Sequence, residues 1–291
     1  METEFSYPEG NLVFDERTDG LSLIRVVGNF ALVEVPEEIP GGRKVTYLSK
    51  KAFLGKRTIK KIIIPHTVTG IGDWCFAGCA NLESIVMPSC TVGEGIFTGC
   101  GQLKEIMLPG ISEGLGALIA GAVRYGGPPH LTDTGRVEAD RTCKWDAWVR
   151  SLLEEPDDEG FTDQILCGEE DYGSCDKEAY ESRRRVMKAS LCIMRLLNPE
   201  GLSDDNMTIM SDYLYRHREG SAEGNESWIA VRDFFPDKKH FDLLNRLHCI
   251  DDTNRDKMIR SLKDDKQELK SLLIKTAGSD AADRFFSAFE L

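Results

Sequence analysis

Long apolar runs are missing from this sequence. No stretch approaches the ~18 consecutive apolar residues of a membrane-spanning helix, which argues against a membrane class. The run from Leu21 to Ile24 is too short, and lies too far into the chain, for a secretory signal. Positive charge is also scarce: 36 Lys and Arg face 49 Asp and Glu, a net charge of -13. Coulomb repulsion makes so acidic a chain a poor general binder of nucleic acid or anionic lipid. Zinc-ligand spacing is lacking, since three residues separate Cys75 from Cys79 and no second pair follows. Gly114-Leu115-Gly116 with Gly121 has neither the dinucleotide-binding spacing nor a P-loop lysine. The acidic loop from Glu155 to Gly160 opens like a calcium loop, but Leu166 stands where a bidentate Glu is required. No cofactor and no metal site is therefore expected.

Core-forming residues are plentiful. Of 291 residues 41% are hydrophobic, and the mean hydropathy of -0.30 fits a globular chain. That length suits two domains of ~100–200 residues. The acidic excess is uneven, with 14 acidic and 12 basic side chains in residues 1–125 against 35 and 24 in residues 126–291. The shift near residue 125 suggests a first domain over 1–125 and a second over 139–291. Between them, Gly126-Gly127-Pro128-Pro129 opens a linker over 126–138. Nine cysteines, an odd number in a chain this large, point to reduced thiols and a cytoplasmic setting.

Internal periodicity is the strongest signal. Three segments align without gaps, each running from an aromatic residue through aliphatic positions to a proline: Phe53 to Pro65, Phe76 to Pro88 and Phe97 to Pro109. In the first, Ile59, Ile62 and Ile64 are the aliphatic positions; Leu82, Ile85 and Met87, then Leu103, Ile106 and Leu108, repeat them. An earlier partial copy runs from Phe30 through Val33 and Val35 to Pro36. A short strand puts Ile62 and Ile64 on one face and Ile63 on the other. Proline ends the strand because it has no N–H for the ladder. Turns with glycine follow (Thr69-Gly70-Ile71-Gly72 and Val92-Gly93), then the Phe, with Cys79 and Cys100 at one small-residue position. One such unit cannot bury its own apolar face, so the units must stack into a solenoid.

The segment Ile71 to Ile85, with Trp74-Cys75-Phe76-Ala77-Gly78-Cys79 at its centre, resembles the bacterial BspA-type leucine-rich repeat. Leu32 to Leu48 resembles the segment that precedes such repeats. The likeness spans roughly residues 20–110 and implies a bacterial source and, by analogy of fold, protein recognition. Residues 55–58 lack the repeat's Gly-Cys pair, and after Pro109 the pattern decays into Gly/Ala-rich sequence from Ile111 to Gly121. That decay marks the end of the solenoid, where a cap or the second domain must cover the last apolar edge.

Leucine-rich repeat solenoids meet partners through the outward residues of their stacked strands. Here these are Glu34, Ile63, Val86 and Met107. Three neighbouring aliphatics on a wet face make a candidate protein-binding or domain-docking stripe, although β-branched residues also favour strands for their own sake. Residues 43–61 invert the local charge: Arg43, Lys44, Lys50, Lys51, Lys56, Arg57, Lys60 and Lys61 occur without one acidic residue. This basic patch is either a solvated face protecting a sheet edge or a surface for an anionic partner. No pattern of aromatic interleaving supports a nucleic-acid reader, so an acidic protein or the chain's own acidic half ranks above nucleic acid.

Beyond the linker the period becomes helical. Trp145, Trp148, Leu152 and Leu153 form one stripe, and Met187, Leu191, Met194 and Leu197 another, stopped by Asn198-Pro199-Glu200-Gly201. A helix starts at Ser203, apolar stripes recur at Trp228 to Phe235 and Phe241 to Leu247, and the last helices begin near 252 and 265, before Phe285, Phe286 and Phe289. This spacing predicts six to eight short helices, as a bundle or a short α-solenoid. Phe241 to Lys275 faintly resembles ankyrin-like helical tails, without a Thr-Pro-Leu-His motif. His248-Cys249 sits on a predicted helix, where neighbours point different ways, so adjacency does not make a dyad. His66 reads as a turn residue, and the acidic cluster over 154–171 as a solvated loop.

The reading is an α+β chain: a short N-terminal leucine-rich repeat β-solenoid followed by an all-α C-terminal domain. It is expected to be a non-catalytic binding or scaffold protein with a protein partner and no membrane association. The alternative is an enzyme with an unrecognised site in residues 139–291, which a pocket holding a paired Cys and His or clustered carboxylates would favour.

Overall fold

A computed structural model of the chain describes residues 2–127, 138–162 and 176–276. The chain divides into two compact units, Met1–Trp145 and Asp146–Leu291. Most of the expected linker, and the phenylalanines at 285, 286 and 289, lie outside the described residues.

The first unit is a β-solenoid built on two sheets. One sheet is a parallel ladder of β4 (Leu32–Glu34), β7 (Lys61–Ile63), β9 (Ser84–Val86) and β11 (Glu105–Met107), in that spatial order. Its register matches the repeat alignment: Val33, Ile62, Ile85 and Ile106 stand side by side, and all four are buried. Ile64, Met87 and Leu108 fill the next inward row, with Ile59, Leu82 and Leu103 behind them. The segments read as glycine turns are the second sheet. Gly70–Ile71 is β8 and Thr91–Val92 is β10, and both run parallel to β6 (Arg43–Leu48). The two-residue strands are too short to show a period of their own, which is why they read as turns.

The third side of each turn is a corner holding the phenylalanines. Phe53, Phe76 and Phe97 stack with centroids 5.3 and 5.5 Å apart. Backbone N–H groups of one corner donate to carbonyls of the next: Lys51 to Asp73, Phe53 to Cys75 and Gly55 to Ala77, then Trp74 to Glu94, Phe76 to Ile96 and Gly78 to Thr98. Gly55, Gly78 and Gly99 occupy the left-handed region with φ of +69°, +73° and +75°, where a side chain is strained. The first repeat lacks the Gly-Cys pair only in its cysteine, replaced by Lys56, and keeps the glycine at the same left-handed position.

Residues 3–28 form a cap that the repeat pattern does not announce. β1 (Thr3–Tyr7), β2 (Gly10–Arg17) and β3 (Gly20–Gly28) make an antiparallel meander, and β3 pairs in parallel with β6. Thr18-Asp19 is the two-residue connection between β2 and β3, with Arg17 opposite Gly20. The Tyr7 hydroxyl donates to the carbonyl of Glu34 at 3.1 Å, and so covers the outer strand of the ladder. The opposite end is closed by α1 (Glu113–Arg124), N-capped by Ser112 and packed on β11. A Cβ at Gly116 would lie 2.6 Å from the carbonyl oxygen of Ile106. The Gly/Ala composition that looked like decay thus lets a helix approach strand backbone. From α2 (Glu138–Glu154), Trp145 donates its indole N–H to the carbonyl of Leu118 on α1 at 3.0 Å.

The second unit is helical. Its centre is α3 (Lys177–Leu197), N-capped by Asp176 and stopped at Asn198. Against it pack α4 (Asp204–Arg216, capped by Ser203), α5 (Glu226–Ile229) with a π-helical turn over Ala230–Phe234, and α6 (Lys238–Arg246). α8 (Gln267–Thr276) packs on α6 and on α7 (Arg255–Arg260). His248 lies just past α6, not on a helix: φ is +56°, and the N–H of Cys249 returns to the carbonyl of Leu244. This is a helix stop of the Schellman type.

Candidate protein-binding surface

The outward face of the four-stranded ladder has two columns. Glu34, Ile63, Val86 and Met107 stand in register in one, and Leu32, Lys61, Ser84 and Glu105 in the other. The alternation of the strands dictates both, because the residue between two inward aliphatics must face outward. Ile63, Val86 and Met107 are partly exposed, Glu34 is exposed, and Leu32 is 46% exposed. Beside them, Lys104 donates to Glu83 at 2.8 Å and holds that carboxyl below its ordinary range, with Lys60 adding a weaker pull. The face is thus an aliphatic stripe bordered by charge.

The eight basic residues are distributed around a single solenoid turn. Arg43 pairs with Glu16 and also donates to the carbonyl of Gly20 at 3.3 Å. Lys44 sits opposite Glu38 in the pairing of β6 with β5 (Glu38–Ile39). Lys50 and Lys51 lie on the corner, Lys56 and Arg57 follow Gly55, and Lys60 and Lys61 reach the ladder. Spacing within 43–61 missed one residue. Trp74, 43% exposed, has the ammonium groups of Lys50 and Lys51 each 5.0 Å from its ring centroid. The clue was available, because counting two residues back from each repeat's Phe aligns Lys51, Trp74 and Gly95. All three are left-handed, with φ of +63°, +53° and +60°.

In the helical unit the ionisable groups serve packing. Lys188, 2% exposed, donates to Asp157 and to the carbonyl of Glu155, both at 2.7 Å. Arg184 binds Glu155 at 2.9 Å, and Arg185 binds Glu226 at 2.8 Å. The described part of the acidic cluster is therefore a solvent-facing loop that is pinned to α3 through Glu155 and Asp157. Arg195 is fully buried and forks onto Asp146 at 2.6 and 3.0 Å. His217 stacks on Tyr213, and His240 bonds Asp237 at 2.6 Å while burial holds its pKa below the ordinary value. His248 is exposed, and His66 lies in a turn 3.3 Å from Glu37. Burial pushes the thiol of Cys249 up to about 12, and that of Cys192 higher still. Such thiols are poor nucleophiles. Among the described residues no group of three or more His, Cys, Asp or Glu is placed to hold a metal ion, and no helix is long and apolar enough to cross a membrane.

Stacked parallel turns with a buried aliphatic ladder and a phenylalanine spine define a β-solenoid of the leucine-rich repeat class. Residues 36–117 match the BspA type leucine rich repeat region in six copies, and this segment is a BspA-type repeat region. The helical residues fall outside the match. Among solved structures, a leucine rich repeat protein of T. pallidum is 27% identical, with a TM-score of 0.32, over 34% of this chain and 48% of that one. A leucine-rich repeat protein from Bacteroides ovatus is 29% identical, with a TM-score of 0.32, over 36% of this chain and 29% of that one. A leucine rich cell surface protein from Faecalibacterium prausnitzii is 21% identical, with a TM-score of 0.31, over 36% of this chain and 30% of that one. The chain thus spans about half of the first and under a third of the other two. Comparison with curated proteins gives no match.

Proposed function

We propose that the protein is a non-catalytic interaction module that binds a protein partner through the outward face of its strand ladder. One observation carries the reading: Ile63, Val86 and Met107 form a contiguous, partly exposed aliphatic column, in register across three strands. Water gains nothing from such a column, and covering it removes apolar area at about 25 cal/mol per Å². Glu34 closes one end, while Lys60 and Lys61 border the stripe and supply register and specificity more than affinity. Seven described cysteines are free thiols, which supports a reducing, cytoplasmic setting.

The test compares wild type with an Ile63→Asp, Val86→Asp, Met107→Asp triple variant by affinity capture from cell lysate, after circular dichroism has shown equal folding. A defined partner bound by wild type and lost from the variant is expected. A partner retained by both would remove the ladder from the reading.

A further inference from the structure

We propose that Lys50, Lys51 and Trp74 form a binding site for acidic peptide segments, distinct from the strand ladder. The three side chains come from successive turns and meet on the corner of the solenoid, where both ammonium groups lie 5.0 Å from the indole centroid.

Local stability does not explain this arrangement. Lys51 and Trp74 hold left-handed backbone conformations, in which a residue other than glycine is strained. The next turn has Gly95 at the same place, with φ of +60°, and shows the unstrained solution. Trp74 also leaves 43% of its surface exposed on an outer corner, where it adds little to the core.

The geometry selects the ligand chemistry. The pyrrole part of the indole lies against Gly95, close enough that a Cβ there would sit 2.4 Å from Cδ1 and 2.5 Å from Nε1. Over the ring stand Lys50 and Lys51. A nucleobase stacking on the indole would compete with the lysines for the ring, and would lose the cation–π attraction of any it displaced. A carboxylate displaces nothing, because each ammonium has three donors and only one ring to face. Lys50 shares its charge with Asp73 at 3.7 Å; among the described residues Lys51 has no carboxylate partner. Holding both chains over the ring removes rotamer freedom before the ligand arrives, which lowers the entropy lost on binding. Two ammonium groups against one neighbouring carboxylate, with an apolar ring beside them, fit aspartate- or glutamate-rich peptide, whose stems pack on the indole edge.

The probe is fluorescein-labelled hexaglutamate, titrated with the full chain at low salt and followed by anisotropy. Unlabelled hexaglutamate is titrated in parallel against tryptophan emission. Saturable binding that weakens with added salt is expected, together with an emission change present in wild type and absent from Trp74→Phe. Lys50→Ala with Lys51→Ala should weaken binding at least about tenfold, whereas Lys50→Arg with Lys51→Arg should retain it, which separates lost charge from lost fold. Three results would overturn the proposal: no binding at low salt, unchanged affinity in the alanine pair, or a thymidine hexanucleotide binding as tightly as the peptide.

Discussion

The thiol of Cys79 donates to the carbonyl oxygen of Phe53 across 3.2 Å, from one turn of the solenoid to the turn before it. Cys100 does the same to Phe76 at 3.3 Å. The pair therefore ties successive corners together in addition to filling space. Replacing Cys79 by Ala should cost about 1–2 kcal/mol in urea denaturation, from one lost hydrogen bond and a small void. Cys79→Ser keeps a donor and should cost less. A serine variant as unstable as the alanine one would mean that size alone holds the position.

Burial raises these thiols, to about 11 at Cys79 and about 12 at Cys100. The thiolate is the reactive form, so at pH 8 only about one Cys79 in a thousand would be ionised. Iodoacetamide at that pH should label Cys143, which is exposed, while the buried cysteines react only in denaturant. Mass spectrometry of digests would check the order. Rapid labelling of Cys79 or Cys100 in the native protein would contradict the packing described.

Gly95 carries two requirements, a left-handed backbone and room for the Trp74 indole. Gly95→Ala should destabilise the solenoid by about 1–2 kcal/mol and shift the Trp74 emission as the ring is pushed outward. In a double-mutant cycle with Trp74→Ala the steric part should vanish, leaving a backbone penalty of about 1 kcal/mol. Purely additive losses would show that the two residues do not meet.

The fork from buried Arg195 to Asp146 predicts a larger effect. Asp146→Ala strands a buried guanidinium and should destabilise the helical unit by about 3–5 kcal/mol. Arg195 also donates to the carbonyl of Glu200 at 3.1 Å, so the charge would not be left wholly unbonded. Thermal melts followed at the helical circular dichroism signal would measure the loss. A shift no larger than that of Asp205→Ala, whose partner Arg150 is exposed, would refute the claim.

Most of the solenoid was readable because its periods are strict. Ile62, Ile85 and Ile106 align in sequence and again in register, since a parallel ladder preserves the offset of its repeats. The corner cysteines were legible for the same reason. The repeat strands of the second sheet were hidden, because β8 and β10 are two residues long, with a glycine in β8 and another just after β10. Trp74 was missed as the companion of Lys50 and Lys51 because repeat stacking converts a separation of 23 residues into adjacency. In the helical half, caps at Ser203 and the stop at Asn198 were plain, but the ion pairs of Lys188 and Arg195 join segments 31 and 49 residues apart and leave no local pattern.

Each end of the repeat array is sealed by its own fitted part, Tyr7 at Glu34 and the Gly116 face of α1 at Ile106. The turns between are near copies with interchangeable inward residues. A gene encoding this chain can therefore gain or lose repeats only from its interior: an added unit at either margin would expose a seam that no cap was shaped to meet. Length variation among relatives should fall between Phe53 and Pro109, in steps close to the 21- and 23-residue intervals between the repeat prolines.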